Sequence, residues 1–189
     1  MVLEVVKYGD PVLRKKGAKI EAITPEITQF IADMFETMKA ARGVGLAAQQ
    51  VGRAIQLTVI DVRGMKDRPS LLWIQGQPAD PDSFMPLVLI NPVITPQGPR
   101  EAGPEGCLSF PQIYGDVIRP SEVEVTAQNE RGESYSFKAG GLLARAVQHE
   151  VYHLNGILFI DRMDSETRAE VKPEVDELQA ETKERLAAR

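Results

Sequence analysis

His149 and His153 are the only histidines in the chain, and both fall in Gln148-His149-Glu150-Val151-Tyr152-His153. On a helix, positions four apart lie one turn apart on the same face. Such a helix must keep several polar donors on a face that the flanking Leu143, Val147, Val151 and Leu154 draw into a core. The fold therefore has to bury this segment on more than one side. It also has to use the donors, because unpaired buried polar groups are costly. His-Glu-x-x-His on a helix grips one metal ion through its histidines. Glu150 then lies close enough to take a proton from water on the metal. The bland alternative is two core histidines and a surface glutamate at a chance spacing. That both histidines of the chain meet here argues against it.

The rest of the composition suits one catalytic domain. With 189 residues, 43% of them hydrophobic and 26% charged, the chain can bury a core without disulfides or structural metal. The net charge of −5, with no basic run, excludes an electrostatic nucleic-acid footprint, so no direct nucleic-acid binding is expected. No apolar run approaches bilayer length, and the charged start Met1–Lys7 is not a signal peptide, so a cytoplasmic location without membrane contact is expected. The single cysteine, Cys107, cannot form an internal disulfide and is left for metal or catalysis.

Along the chain, residues 1–20 are expected to form an extended arm. Thr24-Pro25 caps a helix with the stripe Ile27, Phe30, Ile31, Met34, Phe35 and Met38, stopped by Gly43. The small-residue stretch Gly43–Gly52 leads into a strand over 55–62. Its order, helix, glycines, strand, is wrong for a phosphate loop. It is either a tight turn or a place where another backbone approaches. Residues 63–86 read as a long loop with one apolar patch at Leu71–Ile74. Residues 86–95 read as a strand that Asn91-Pro92 bends or bulges. A hairpin is expected from 122–126 to 134–138 about a turn at Asn129–Gly132. The metal helix runs from Leu142 to about Asn155 and ends at Gly156. Ile157–Ile160 reads as a short buried strand or turn. The division is a catalytic domain over 1–164 and a charged C-terminal helix or tail over 165–189, capped by Asp164 or Ser165, with Pro173 as a kink or restart.

The metal lacks a third protein ligand within the helix. No further histidine exists, and Glu166 and Glu170 fall in the polar tail. Cys107, in Glu105-Gly106-Cys107-Leu108-Ser109, is the better candidate, although a lone cysteine is usually a small hydrophobe. One cysteine and two histidines would leave one tetrahedral position open, which marks a catalytic site. A thiolate weakens the Lewis acidity of the ion, so amide or backbone donors should assist any oxyanion formed.

Three separated motifs, Gly43-Val44-Gly45-Leu46-Ala47-Ala48-Gln49-Gln50, Glu105–Ser109 and Gln148–His153, resemble those of the peptide deformylases, in order and in spacing, from about residue 5 to residue 163. The resemblance implies an α+β fold in which a central metal-binding helix is surrounded by small antiparallel β-sheets, with N- and C-terminal helices. It implies a hydrolase of protein biosynthesis that removes the formyl group from N-formylmethionine on nascent peptides and releases formate. Cys107, His149 and His153 would hold one divalent metal, typically Fe2+, with Zn2+, Ni2+ or Co2+ able to occupy the site. Glu150 would act as general base and later as acid. Gln50 and the backbone N–H of Leu108 would bind the formyl oxyanion. Val44 and Gly45 would lie along the substrate, with Arg145 and Ala146 at the pocket. A transient ribosome contact is also implied, though the tail, with seven acidic and five basic residues, is poorly suited to RNA phosphates.

Two positions depart from the family pattern. Tyr152 stands where an aspartate is usual, so Arg119, by position the partner of that aspartate, must find another. Arg145 stands where an apolar residue is more often found. It would either carry its charge out at the pocket mouth or change the side-chain preference. The excursion over 63–86 is also longer than in compact members. The competing readings are a deformylase-like metal-binding protein without full activity, which Tyr152 would permit, and a His-Glu-x-x-His endopeptidase.

Overall fold

A computed structural model describes residues 1–189. Helix α1 (Pro25–Ala40) starts as its sequence dictates: the Thr24 side chain accepts from the Ile27 N–H, and Pro25 takes the first turn, where no N–H is needed. Its apolar stripe packs on β1 (Gly45–Ala47) and β2 (Leu57–Ile60), with Met34 and Leu57 fully buried. The helix ends through Arg42, which adopts the left-handed conformation (φ 58°), rather than through Gly43, whose N–H bonds back to Met38 O.

Residues 63–86 are a loop only as far as residue 69. Beyond it they form β3 (Ser70–Ile74), β4 (Gln77–Ala79) and the single-turn helix α2 (Pro81–Phe84). Gln75 and Gly76 both have positive φ, which suits a two-residue hairpin turn between β3 and β4. The patch at 71–74 was too short to identify as a strand without its partner. That partner is β7 (Ser134–Gly140), and Leu72 reaches the main core.

Strand β5 (Leu87–Cys107) and strand β6 (Phe110–Gln128) run antiparallel over almost their whole length. The register shifts between Ile90 and Val93, where Asn91 (φ 50°) leaves the ladder and its side chain bonds the Ile20 N–H and C=O. Further shifts at Gln97/Arg100 and Gly106/Cys107 bend the long hairpin. The 122–140 hairpin forms as expected, with Asn129 Oδ1 accepting from the Arg131 and Glu133 N–H groups in the turn. The fold is α+β. The strands expected as small sheets are joined by the bent β5 and β6 into one antiparallel ladder in the order β1-β2-β5-β6-β7-β3-β4.

Helix α3 (Gly141–His153) crosses this ladder. Ten of its residues are buried, including both histidines and Glu150. Leu143 and Val147 are fully covered by the sheet core, each worth about 1.5–3 kcal/mol of burial. Gly141 begins the helix at φ 59°, and a Cβ there would lie 2.2 Å from Pro69 O, so β3 approaches too closely for any other residue. After α3, Gly156 (φ 75°) turns the chain, and Phe159–Arg162 form a 3-10 turn over the buried Phe110.

Helix α4 (Ser165–Ala187) is capped by Asp164 and continues through Pro173, so the helix does not restart there. Its Val171 and Val175 join a third apolar cluster with Phe110, Val117 and Phe159. The N-terminal arm lies across this region, donating from Val6 N–H to Gln50 O and from Tyr8 N–H to Ser109 O.

Candidate metal centre

Two elements bring the three ligands together. Helix α3 presents His149 and His153 with ring centroids 5.2 Å apart, and the bulged end of β5 presents Cys107. The Cys107 Sγ lies 3.3 Å from His153 Nε2. One ligand atom from each of Cys107, His149 and His153 falls within 4.8 Å of the others, a cluster of the size that a single ion bridges. Burial of His153 and the neighbouring His149 hold its imidazole well below the ordinary range, so it is a neutral donor.

Glu105 fixes the second histidine. Its Oε1 accepts from His149 Nδ1 at 2.8 Å, which turns Nε2 toward the cluster. Glu105 itself is buried. Burial opposes its charge, but hydrogen bonds from Arg119 and His149 outweigh that and hold the carboxyl far below its usual range. Burial likewise opposes a charged His149, but Cys107 and Glu105 raise it to about 10, so taking up a metal must displace a proton. This role of Glu105 is not expected from its place in the motif Glu105–Ser109 alone. A carboxylate two residues before a cysteine ligand, on a strand facing the helix, was the available signal.

Arg119 has found its other partner. Its Nε and Nη2 donate to the two Glu105 oxygens at 2.7 and 2.8 Å in a fully buried pair. Tyr152 offers a ring face instead of a carboxylate, 5.9 Å from the Arg119 guanidinium and 4.7 Å from that of Arg162. The Arg119 Nη1 has no partner. Arg145 does not carry its charge to the pocket mouth: its guanidinium turns inward and donates to Glu105 Oε2 at 2.8 Å.

Glu150 sits beside the ligand cluster, 5% exposed, with Oε2 free of any partner. Burial raises its carboxyl to about 7, the poise of a group that both takes and returns a proton near neutrality. Gln50 is fixed by its Oε1, which accepts from the Ala47 N–H at 3.0 Å. That leaves Nε2 pointing at Cys107 Sγ (3.5 Å) and Ser109 Oγ (3.3 Å), an amide donor aimed at the metal position. Leu108 follows the cysteine directly, and its carbonyl accepts from Lys7 Nζ at 3.4 Å.

A cavity of about 600 Å³ opens on this cluster. Val44, Gly45, Arg145 and Ala146 all line it, together with Gln50 and Leu108. Strand β1 is the free end of the ladder. Val44 O accepts from the Asp61 N–H, and Leu46 pairs Val59, so the alternating pattern turns the Gly45 N–H and C=O away from β2, toward the cavity. A Cβ on Gly45 would lie 2.6 Å from Glu150 Oε1. The close neighbour of Gly45 is thus the Glu150 side chain rather than another backbone.

A cysteine at the end of β5 and two histidines on a buried helix, with a carboxyl group free of protein partners at one oxygen and an amide donor around an open cavity, define a metallohydrolase-type centre. The family model for polypeptide deformylase matches residues 2–169, and the chain belongs to that family. It is similar to the peptide deformylase of Opitutus terrae, 46% identical over 181 residues covering 94% of this chain and 93% of that protein. That of Methylacidiphilum infernorum is 46% identical over 178 residues, with 94% and 93% covered. Among solved structures, the Legionella pneumophila peptide deformylase superposes with a TM-score of 0.79 at 33% identity, covering 100% of this chain and 99% of that one. The Synechococcus elongatus enzyme in complex with actinonin gives 0.75 at 40% identity, covering 95% and 85%.

Proposed function

We propose that this chain is a metal-dependent deformylase that hydrolyses the formyl group from N-formylmethionine at the start of nascent peptides, releasing formate. The observation that carries the reading is Glu150: a buried carboxylate with a free oxygen, beside a Cys-His-His cluster, in a chain of the deformylase family. The residues fit a divalent ion, for which Cys107, His149 and His153 supply three donors. Fe2+ suits this reading best, with Zn2+, Ni2+ and Co2+ as substitutes. The ion would lower the pKa of water and polarise the formyl oxygen.

The chain's own residues do the rest. Gly45 pairs with the peptide backbone at the free edge of β1, as in strand addition, and Val44 extends that edge. Ala146 lines the pocket for the methionine side chain, while the Arg145 guanidinium is turned from it to Glu105. Glu150 takes a proton from the attacking water and returns it to the leaving amine. Gln50 Nε2 and the Leu108 N–H stabilise the oxyanion. The catalytic machinery lies within 1–164, and 165–189 supports it from outside. A cytoplasmic site of action and a transient ribosome contact follow from the substrate; no helix is long and apolar enough to cross a membrane.

Two results are expected. Gly45→Ala should lower kcat by about 10-fold or more with metal content unchanged, because the added Cβ displaces the Glu150 carboxylate. Wild-type kcat in that variant would remove the close approach from the account. The cavity rim carries Lys7, Arg42 and Arg68, while its two carboxylates, Glu105 and Glu150, are buried. Formyl-Met peptides with Asp or Glu at the following positions should therefore show about 3- to 10-fold higher kcat/KM than Lys-bearing ones at low salt, the ratio collapsing near 0.5 M salt. A salt-independent ratio would contradict this.

The reading itself is tested by presenting formyl-Met-Ala-Ser, acetyl-Met-Ala-Ser and an internally cleavable peptide. Release of a free methionine amine from the first alone is expected. Internal cleavage would favour the endopeptidase.

A further inference from the structure

Glu105 carries more donors than a histidine needs. Oε1 receives His149 Nδ1 and Arg119 Nη2, each at 2.8 Å. Oε2 receives Arg119 Nε at 2.7 Å and Arg145 Nη1 at 2.8 Å. The two guanidinium groups are not equivalent. The side-chain bonds of Arg119 go only to Glu105, and its Nη1 is unpartnered. Arg119 therefore ties the Glu105 carboxylate to no other side chain or carbonyl.

Arg145 supplies such a tie. Nη1 also donates to Val117 O at 2.8 Å on β6, and Nη2 donates to Glu101 O at 3.0 Å on β5. Its side chain is 12% exposed. Gly103 makes room for it: a Cβ there would come within 3.0 Å of the guanidinium carbon. One planar fork thus ties the metal helix, both strands of the long hairpin and the Glu105 carboxylate. A lysine cannot do this, having a single nitrogen for three acceptors in different directions.

We propose that Arg145 is a positioning residue for the metal centre, acting through Glu105 to hold His149 Nε2 on the ion. It deepens the metallohydrolase reading and rests on it. The charge of Arg145 is committed to Glu105 and the strand carbonyls and is not offered to the substrate. The residue should govern metal retention and leave peptide binding nearly untouched. That division distinguishes it from a pocket residue, which would move KM.

The test uses full-length protein with Co2+ as probe. Arg145→Met keeps an apolar stem and removes the fork. Relative to wild type, its Co2+ dissociation constant should rise about 10-fold or more, within the 10–100-fold range of residues that orient metal ligands. The visible absorption of the bound cobalt should change, and the KM of the loaded fraction should stay within about twofold. Arg145→Lys should fall between the two proteins, and it carries the test if Arg145→Met does not fold. Unchanged cobalt affinity and spectrum in the variant would overturn the assignment, as would normal affinity with only KM altered. Wild-type protein that takes up no cobalt would instead overturn the metal reading itself.

Discussion

Replacing Glu150 with alanine should lower kcat on a formyl-Met peptide by about 10³-fold, within the ~10²–10⁴ that a positioned general base supplies, with metal content unchanged. The separation of the two readouts follows from geometry. The ligand atoms belong to Cys107, His149 and His153, and Glu150 is outside that set. Its Oε2 has no protein partner, so truncation breaks no ion pair and leaves the helix intact. The alanine cavity sits at the floor of an open pocket, where water can fill it. Glu150→Gln should fall similarly, because an amide cannot take the proton. Near-normal turnover in either variant, measured as formate release per bound metal, would remove Glu150 from its role.

Cys107→Ala should have the largest effect on the metal. If each ligand carries roughly a quarter of the ~10–16 kcal/mol typical of a tetrahedral zinc site, its loss costs about 3 kcal/mol, or ~10²-fold in affinity. The protein should still fold, because Cys107 is only partly buried at the margin of its apolar cluster. Formate release should fall with the metal, and excess metal should restore it only in part, since the remaining coordination differs. The endopeptidase alternative makes the opposite claim: two histidines and another carboxylate would suffice, and a variant with full zinc content and full activity would support it. Equilibrium dialysis against a chelator buffer distinguishes the two.

Much of this site could be read from residues alone because its chemistry is local. The spacing of His149, Glu150 and His153 fixes one helix face, and the cap at Thr24-Pro25 and the Asn91 bulge are short-range events. The strands at 70–79 could not be read, because β3 exists through its pairing with β7 some sixty residues later. The length of β5 was hidden for a related reason. Residues 96–104 contain five glycines and prolines, so local propensity opposes a strand that the β6 partner imposes. Pro173 was expected to interrupt α4, yet docking of Val171 and Val175 holds the helix through it.

The direction of Arg145 was the least legible feature of the site. From sequence it was a charged residue at a pocket, with two open fates. Its actual partners, Glu105, Val117 and Glu101, lie on two strands whose register sets them opposite the helix. Tyr152 likewise left Arg119 in question until the bidentate pair with Glu105 was seen.

The central claim is that a metal held by Cys107, His149 and His153 works with Glu150 on an N-terminal formamide. Anaerobic purification, metal analysis and graded chelation, followed by formate release from formyl-Met-Ala-Ser at each occupancy, tests it most directly. A rate proportional to bound metal, with one ion per chain at full activity, is the predicted result. Formate release that persists in metal-free protein, or fully loaded protein that releases none, would contradict it.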